Sequence, residues 1–249
     1  MPSFLQIVCL NAVFWPLYIA VTAAFSLAAV PYVTLFALCR RDRRRTLRLI
    51  RMAIRHYGAA VLKCGWPLVR VKYVDHAPQD APPFVVAANH RSASDGYLMA
   101  CLPYECIQVV NVWPFRIPWL GTVAKIAQYL SVREMPFEEF LSKGSNLLSQ
   151  GVCVISFPEG TRSASRAVRS FHGSAFRLAQ RARVPVVPMA IAGSEEIPRR
   201  GTLVLRPGRI WVHKLPAITP GDYKDLSPFQ LKTLVRQKIE THLRRVENA

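Results

Sequence analysis

From Phe4 to Leu38 the chain is predominantly apolar, and residues 1–39 hold no Asp, Glu, Lys, Arg or His. About 20 apolar residues suffice for one membrane-crossing helix, so this segment is long for one upright span and short for two complete ones. Pro16 and Pro31 interrupt it, and proline kinks or ends helices because it lacks a backbone donor. The pattern predicts a two-helix apolar anchor, arranged as a re-entrant hairpin or as a tilted span plus an interfacial piece. A secretory leader fits poorly, because the positive n-region is missing and the apolar stretch is too long. A hairpin buried in a soluble protein is the plainer alternative, and the length without charge argues against it.

After residue 65 the pattern changes to short β-branched runs separated by helical spacing. The runs are Val69–Val74, Phe84–Ala88, Ile107–Val112, Val152–Phe157, Val186–Ile191, Leu203–Leu205 and Ile210–His213. Pro136 to Gln150 carries Phe137, Phe140, Leu141, Leu147 and Leu148 at helical spacing, with Gly151 as a stop signal. Ser174 to Arg183 reads as a second helix. Ser227-Pro228-Phe229-Gln230 reads as an N-cap, a first-turn proline and a capping-box partner. The stripe Leu231, Leu234, Val235, Ile239, Leu243 and Val246 follows it. Strands alternating with helices predict an α/β fold with a largely parallel central sheet flanked by helices.

Composition sharpens this picture. The 249 residues carry 33 Lys+Arg against 15 Asp+Glu, a formal net charge of +18, and 51% are hydrophobic. Such a surplus attracts polyanions, and basic together with greasy favours an anionic membrane surface over nucleic acid. Arg40-Arg41-Asp42-Arg43-Arg44-Arg45, with Arg48, Arg51 and Arg55 beyond, follows the apolar segment directly. That position marks the cytoplasmic side and the level of lipid headgroups; the plainer reading is a solvated helix face. Cys9, Cys39, Cys64, Cys101, Cys106 and Cys153 include no C-x-x-C pair, and no Cys/His cluster has zinc spacing. All six are read as buried or lipid-facing thiols, and no metal or cofactor is assigned.

The chemistry gathers after two of the predicted strands. Val85 to Ala88 runs into Asn89-His90-Arg91-Ser92-Ala93-Ser94-Asp95. His90 is the natural general base, since imidazole titrates near neutral pH. In one continuous helix His90 and Asp95 would point apart. With His90 in the loop and a helix starting near Ser92 or Ser94, Asp95 can accept a hydrogen bond from one ring nitrogen and leave the other free to take a proton. Taken alone the stretch is equally a satisfied strand-end histidine beside a helix-capping aspartate. The second strand, Val152 to Phe157, ends in Pro158-Glu159-Gly160-Thr161-Arg162-Ser163. There Arg162 can hold a phosphate with paired hydrogen bonds, Gly160 lets backbone approach a ligand, and Glu159 can orient Arg162 or bind an acceptor hydroxyl. A surface turn with a salt bridge is the plainer reading.

Together, in this order and about 70 residues apart, the two segments resemble the glycerolipid acyltransferase family, that of 1-acylglycerol-3-phosphate and related lysophospholipid acyltransferases. The N-H-x-S-x-x-D motif is matched by Asn89, His90, Ser92 and Asp95, and F-P-E-G-T-R-S is matched from Phe157 to Ser163. The likeness continues through Phe171–Phe176 and Val184–Ile191, where Pro188 is the marker, and covers roughly residues 40 to 220. It implies residues 1–39 as membrane anchor and 40–249 as catalytic domain on the cytoplasmic face. It also implies His90 as the base for an acceptor hydroxyl, Asp95 as its support, and Glu159, Gly160, Thr161 and Arg162 as acceptor binders, with Asn89, Ser92 and Pro158 supporting the motifs. Ile117-Pro118-Trp119-Leu120-Gly121 resembles the family's second motif, but its usual lysine is replaced by Asn111 or Val112. Arg116 is the nearest cation, and Arg133 resembles a basic residue that follows the next strand. The departure leaves room for an acceptor other than 1-acylglycerol-3-phosphate.

The implied reaction passes an acyl group from acyl-coenzyme A or acyl carrier protein to a lysolipid in the membrane. G-x-S-x-G is absent, so direct transfer is favoured over a covalent acyl-enzyme. Two other functions compete: a basic membrane-surface or nucleic-acid binder, against which stands the lack of a recognisable nucleic-acid motif, and a thioesterase or lipid hydrolase.

Overall fold

The computed structural model describes residues 2–39, 42–111, 118–163 and 166–248. Eight helices and six strands are defined among them. The helices are α1 (Phe4–Cys39), α2 (Arg43–Lys63), α3 (Asp95–Ala100), α4 (Pro118–Ile126), α5 (Phe137–Ser149), α6 (Ser174–Ala182), α7 (Pro220–Tyr223) and α8 (Pro228–Glu247). The strands are β1 (Val69–Asp75), β2 (Val85–Ala88), β3 (Cys106–Gln108), β4 (Cys153–Ser156), β5 (Val186–Ala192) and β6 (Gly208–Lys214).

The strands form one sheet in the order β1-β6-β5-β2-β4-β3. Every neighbouring pair is parallel except β5 and β6. Side chains alternate across a strand, and the central strands β2, β4 and β5 are buried on both faces, so they read as largely apolar runs. Val85, Ala87, Val154 and Val186 face one core with Phe140, Phe176, Leu178 and the Leu231, Val235, Ile239 and Leu243 stripe of α8. Val86, Ala88, Ile155 and Val187 face the other, with Leu10, Phe14, Tyr57, Leu98 and Met99 from α1, α2 and α3. The capping box at Ser227 and Gln230 opens α8 as its sequence predicts.

Three expectations are corrected. The apolar segment is one helix of 36 residues, with Pro16 and Pro31 inside it, not two helices. Each proline forfeits one backbone bond, whereas a hairpin needs a turn, and residues 4–39 contain neither Gly nor Asp to make one. Among the described residues this is the one helix long and apolar enough to cross a membrane, over Phe4–Ala29. One of its faces docks on the domain: Phe25 stacks on Tyr57 at 4.6 Å, and Tyr18 and Tyr97 share a hydroxyl hydrogen bond of 3.1 Å. Second, Leu203–Leu205 is not a strand. The backbone of Leu205 pairs instead with the Asn11 side chain of α1, which accepts from Leu205 N–H at 2.9 Å and donates to Leu205 C=O at 2.8 Å. Third, the basic run divides: Arg40 and Arg41 lie outside the described residues, and Arg51 is buried, donating to Glu105 at 2.6 Å, Gln128 at 2.8 Å and the Ala127 carbonyl at 3.2 Å. Arg43, Arg45 and Arg55 are exposed on α2.

Candidate active site

Strands β4, β2 and β5 are adjacent and parallel, so their carboxyl ends open together, the usual place for ligands in such sheets. Asn89 extends the pairing one step past β2: its amide donates to Ile191 C=O at 2.9 Å and accepts from Ile191 N–H at 2.7 Å. The next residue, His90, is fixed from both sides by the loop after β4. Its N–H donates to Glu159 Oε1 at 2.8 Å, and its C=O accepts from Ser163 N–H at 2.7 Å. The imidazole stacks on Phe157 with ring centroids 4.4 Å apart.

Asp95 begins α3, so the two side chains are not carried on one helix and can meet. His90 Nδ1 lies 2.9 Å from Asp95 Oδ2. An ionised carboxylate only accepts, so Nδ1–H donates and Nε2 carries the lone pair. The same Oδ2 accepts the N–H groups of Arg91 at 2.7 Å and Ser92 at 2.8 Å. Asp95 is wholly buried while the His90 side chain is 20% exposed, so the carboxylate is sealed from solvent and the imidazole is partly open to it. No described residue hydrogen-bonds Nε2. Ser92 donates its hydroxyl to Ile197 C=O at 2.7 Å, which anchors the loop after β5.

In the second loop Pro158 is buried and its carbonyl accepts from His172 N–H at 2.7 Å. Glu159 is buried, and both carboxylate oxygens are engaged by backbone, Oε1 by His90 N–H and Oε2 by Arg169 N–H at 3.0 Å. Burial pushes its carboxyl pKa upward, against the two N–H donors and the nearby His90 and Arg91. Gly160 has φ of +69°, a conformation that favours glycine, and a Cβ there would sit 2.9 Å from the exposed His172 ring. Thr161 is exposed. Arg162 is half-buried, its carbonyl accepting from Arg200 Nη1 at 2.8 Å, and its guanidinium forms no ion pair with a described residue.

The other expected residues stand apart. Arg133 is exposed in the turn after Leu130, with its N–H 3.4 Å from Ser131 Oγ, and nothing links it to His90. Arg116 lies outside the described residues. Pro188 sits inside β5, opposite Ala87 of β2.

Arg91 carries a contact that the sequence reading passes over. It is 2% exposed and paired with Glu247 at the end of α8, with Glu195 Oε2 at 3.7 Å, and with the Arg166 carbonyl. Arg166 in turn reaches Glu195 at 2.8 Å. No local spacing announces this, because Glu247 lies 156 positions away. The expectation of no metal-ligand cluster is likewise corrected at the level of geometry: His76, His213 and His242 converge in space.

A family model described as Acyltransferase matches residues 68–192. A 1-acyl-sn-glycerol-3-phosphate acyltransferase of Chlamydomonas reinhardtii is 29% identical over 175 residues, 68% of this chain and 51% of that protein. The chloroplastic enzyme of that name from Arabidopsis thaliana is 26% identical over 82% of this chain and 58% of its own length. The alpha form from Mus musculus is 29% identical over 64% and 59%. The chain thus spans about half to three-fifths of these relatives. In fold it is similar to the crystal structure of the 1-acyl-sn-glycerophosphate (LPA) acyltransferase PlsC from Thermotoga maritima, with a TM-score of 0.70 and 23% identity, covering 93% of this chain and 96% of that one.

Proposed function

Because the chain belongs to the acyltransferase family, we propose that it transfers a fatty-acyl group from a thioester to the free hydroxyl of 1-acylglycerol-3-phosphate, giving phosphatidate. The observation that carries this reading is the 2.9 Å contact between His90 Nδ1 and Asp95 Oδ2, which leaves Nε2 unbonded at the mouth formed by the two motif loops. Nε2 takes the acceptor's hydroxyl proton as the oxygen attacks the thioester carbonyl. Asp95 stabilises the imidazolium that forms. A C–O bond is made, the C–S bond breaks, and the proton passes from Nε2 to the departing thiolate of coenzyme A or acyl carrier protein. Thr161 and Arg162 meet the acceptor's phosphate, while Glu159 acts through its backbone bonds by locking the two loops together. Residues 1–39 hold the catalytic domain of residues 40–249 at the bilayer, and Arg43, Arg45 and Arg55 face the headgroups of the cytoplasmic leaflet.

Purified protein supplied with one acyl-coenzyme A and a panel of lysolipids, read by mass spectrometry, tests the proposal. Phosphatidate and free thiol should form together, and His90→Ala should reduce both to background while the protein stays folded and vesicle-bound. Release of free fatty acid without an acylated acceptor would make the protein a hydrolase instead. The missing lysine before Ile117 favours a second acceptor reading, and acylation of a phosphate-free lysolipid alone would select it.

A further inference from the structure

Three imidazoles meet on the α8 side of the sheet, away from His90. His76 follows β1, His213 lies in β6 and His242 lies in α8. One ring nitrogen from each is within 4.8 Å of the other two. His76 Nε2 and His213 Nδ1 are already 3.1 Å apart, and two nitrogens held tetrahedrally about 2.0–2.1 Å from a zinc ion stand about 3.3 Å apart. The rings of His76 and His213 stack at 5.4 Å, and His242 meets them edge-on at 5.1 and 4.5 Å. The Nε2 of His242 is buried and has no hydrogen-bond partner among the described residues, which is costly for a polar atom. Two of the three are held toward the neutral form: burial, with the neighbouring imidazoles, holds His213 down at about 4, and burial, His76 and Arg245 lower His242. Neutral imidazoles are the form that binds metals.

We propose that His76, His213 and His242 form a binding site for a divalent transition metal of the zinc type, with water completing the coordination. The shared proton between His76 and His213 moves to an outer ring nitrogen by tautomerisation, so both facing nitrogens can ligate without net proton loss from the pair. The remaining nitrogen closes from within 4.8 Å. The ion joins β1, β6 and α8, and α8 also carries Glu247, which holds Arg91 beside His90. The metal is therefore structural, tethering the helix that braces the catalytic loop.

The test uses tag-free full-length protein, stripped with chelator and reloaded with Zn²⁺ or Co²⁺. One ion per chain should bind. Co²⁺ should give the visible bands of a tetrahedral nitrogen and oxygen site without thiolate charge transfer. At a free zinc concentration about 100 times Kd the melting midpoint should rise by about 5–10 °C. His76→Ala removes an exposed imidazole and should remain folded by circular dichroism while losing the ion; His242→Gln should do the same. Failure of wild type to hold stoichiometric metal would overturn the site. So would folded variants that bind as wild type does, or a thiolate band placing the ion on cysteine. None of these readouts depends on acyl transfer.

Discussion

The loops after β2 and β4 are hydrogen-bonded to each other, yet they present their side chains differently. In the first, Asn89 turns to β5, Arg91 to Glu247, Ser92 to Ile197, and Asp95 to His90 and two backbone N–H groups. One acid–base edge is left facing outward. In the second, Glu159 turns inward, while Thr161 is exposed and Arg162 is half-exposed without an ion partner among the described residues. On the proposed function the first loop carries the reacting proton, which tolerates little positional error, and its many fixed bonds suit that task. A headgroup can be gripped by a side chain that adjusts. The difference teaches which loop is expected to fail in rate and which in binding.

The largest expected effect breaks the rigid loop. In Asp95→Asn, an amide oxygen at the Oδ2 position can keep the bonds from Arg91 N–H, Ser92 N–H and His90, so the geometry survives. What is lost is the negative charge that stabilises the imidazolium. The rate should fall about 10²–10⁴-fold with little change in acceptor KM or in melting midpoint. A rate within twofold of wild type would remove the His90–Asp95 pair from the chemistry.

That pair was legible in the sequence because both partners sit on one short loop, where spacing and a helix start decide whether they meet. The central strands were legible for a similar reason: a strand buried on two faces must be apolar throughout, as Val85 to Ala88 and Val186 to Ala192 are. The capping box of α8 needs only four consecutive residues. What was not legible depends on distant partners. Leu203–Leu205 looks like a strand, but Asn11, 194 positions away, takes its hydrogen bonds. The antiparallel β6 follows from a return without a helical crossover between β5 and β6, and a parallel pairing normally needs one. Arg91 occupies a motif position at which a sequence pattern accepts any residue, and only Glu195 and Glu247 reveal its burial.

The two arginines sharpen the comparison. Arg91→Ala leaves Glu247 without its buried counter-charge, while Glu195 keeps Arg166, and should cost about 3–5 kcal/mol of stability, seen as an earlier denaturation midpoint. Arg162→Ala should leave stability within about 0.5 kcal/mol. It should instead raise the KM for the lysolipid about 10–100-fold, the equivalent of a lost charge-assisted hydrogen bond of about 1.5–3 kcal/mol. If the two substitutions exchanged these effects, with Arg91 moving KM and Arg162 moving stability, the division of labour between the loops would be wrong.

The smallest expected effect concerns the inward-facing carboxylate of the second loop. Glu159 has its pKa raised by burial above the ordinary value of 4.5. The folded state therefore binds more protons than the unfolded state between those two pH values. Linkage then fixes the sign: this group's contribution is fully present below the unfolded pKa and is lost as pH rises through the folded one. Glu159→Gln removes the titration and sets an NH2, which cannot accept, where a carboxyl oxygen can accept in either protonation state, so the variant should be less stable overall by about 1–3 kcal/mol. The gap should be widest near pH 4 and narrow toward neutrality. Urea denaturation of both proteins across that range measures it directly. A gap that widens with pH would mean that the charged carboxylate is favoured in the fold. In that case the two N–H donors with the nearby His90 and Arg91, which all favour the charged form, outweigh burial, and the upward direction of the pKa would fall.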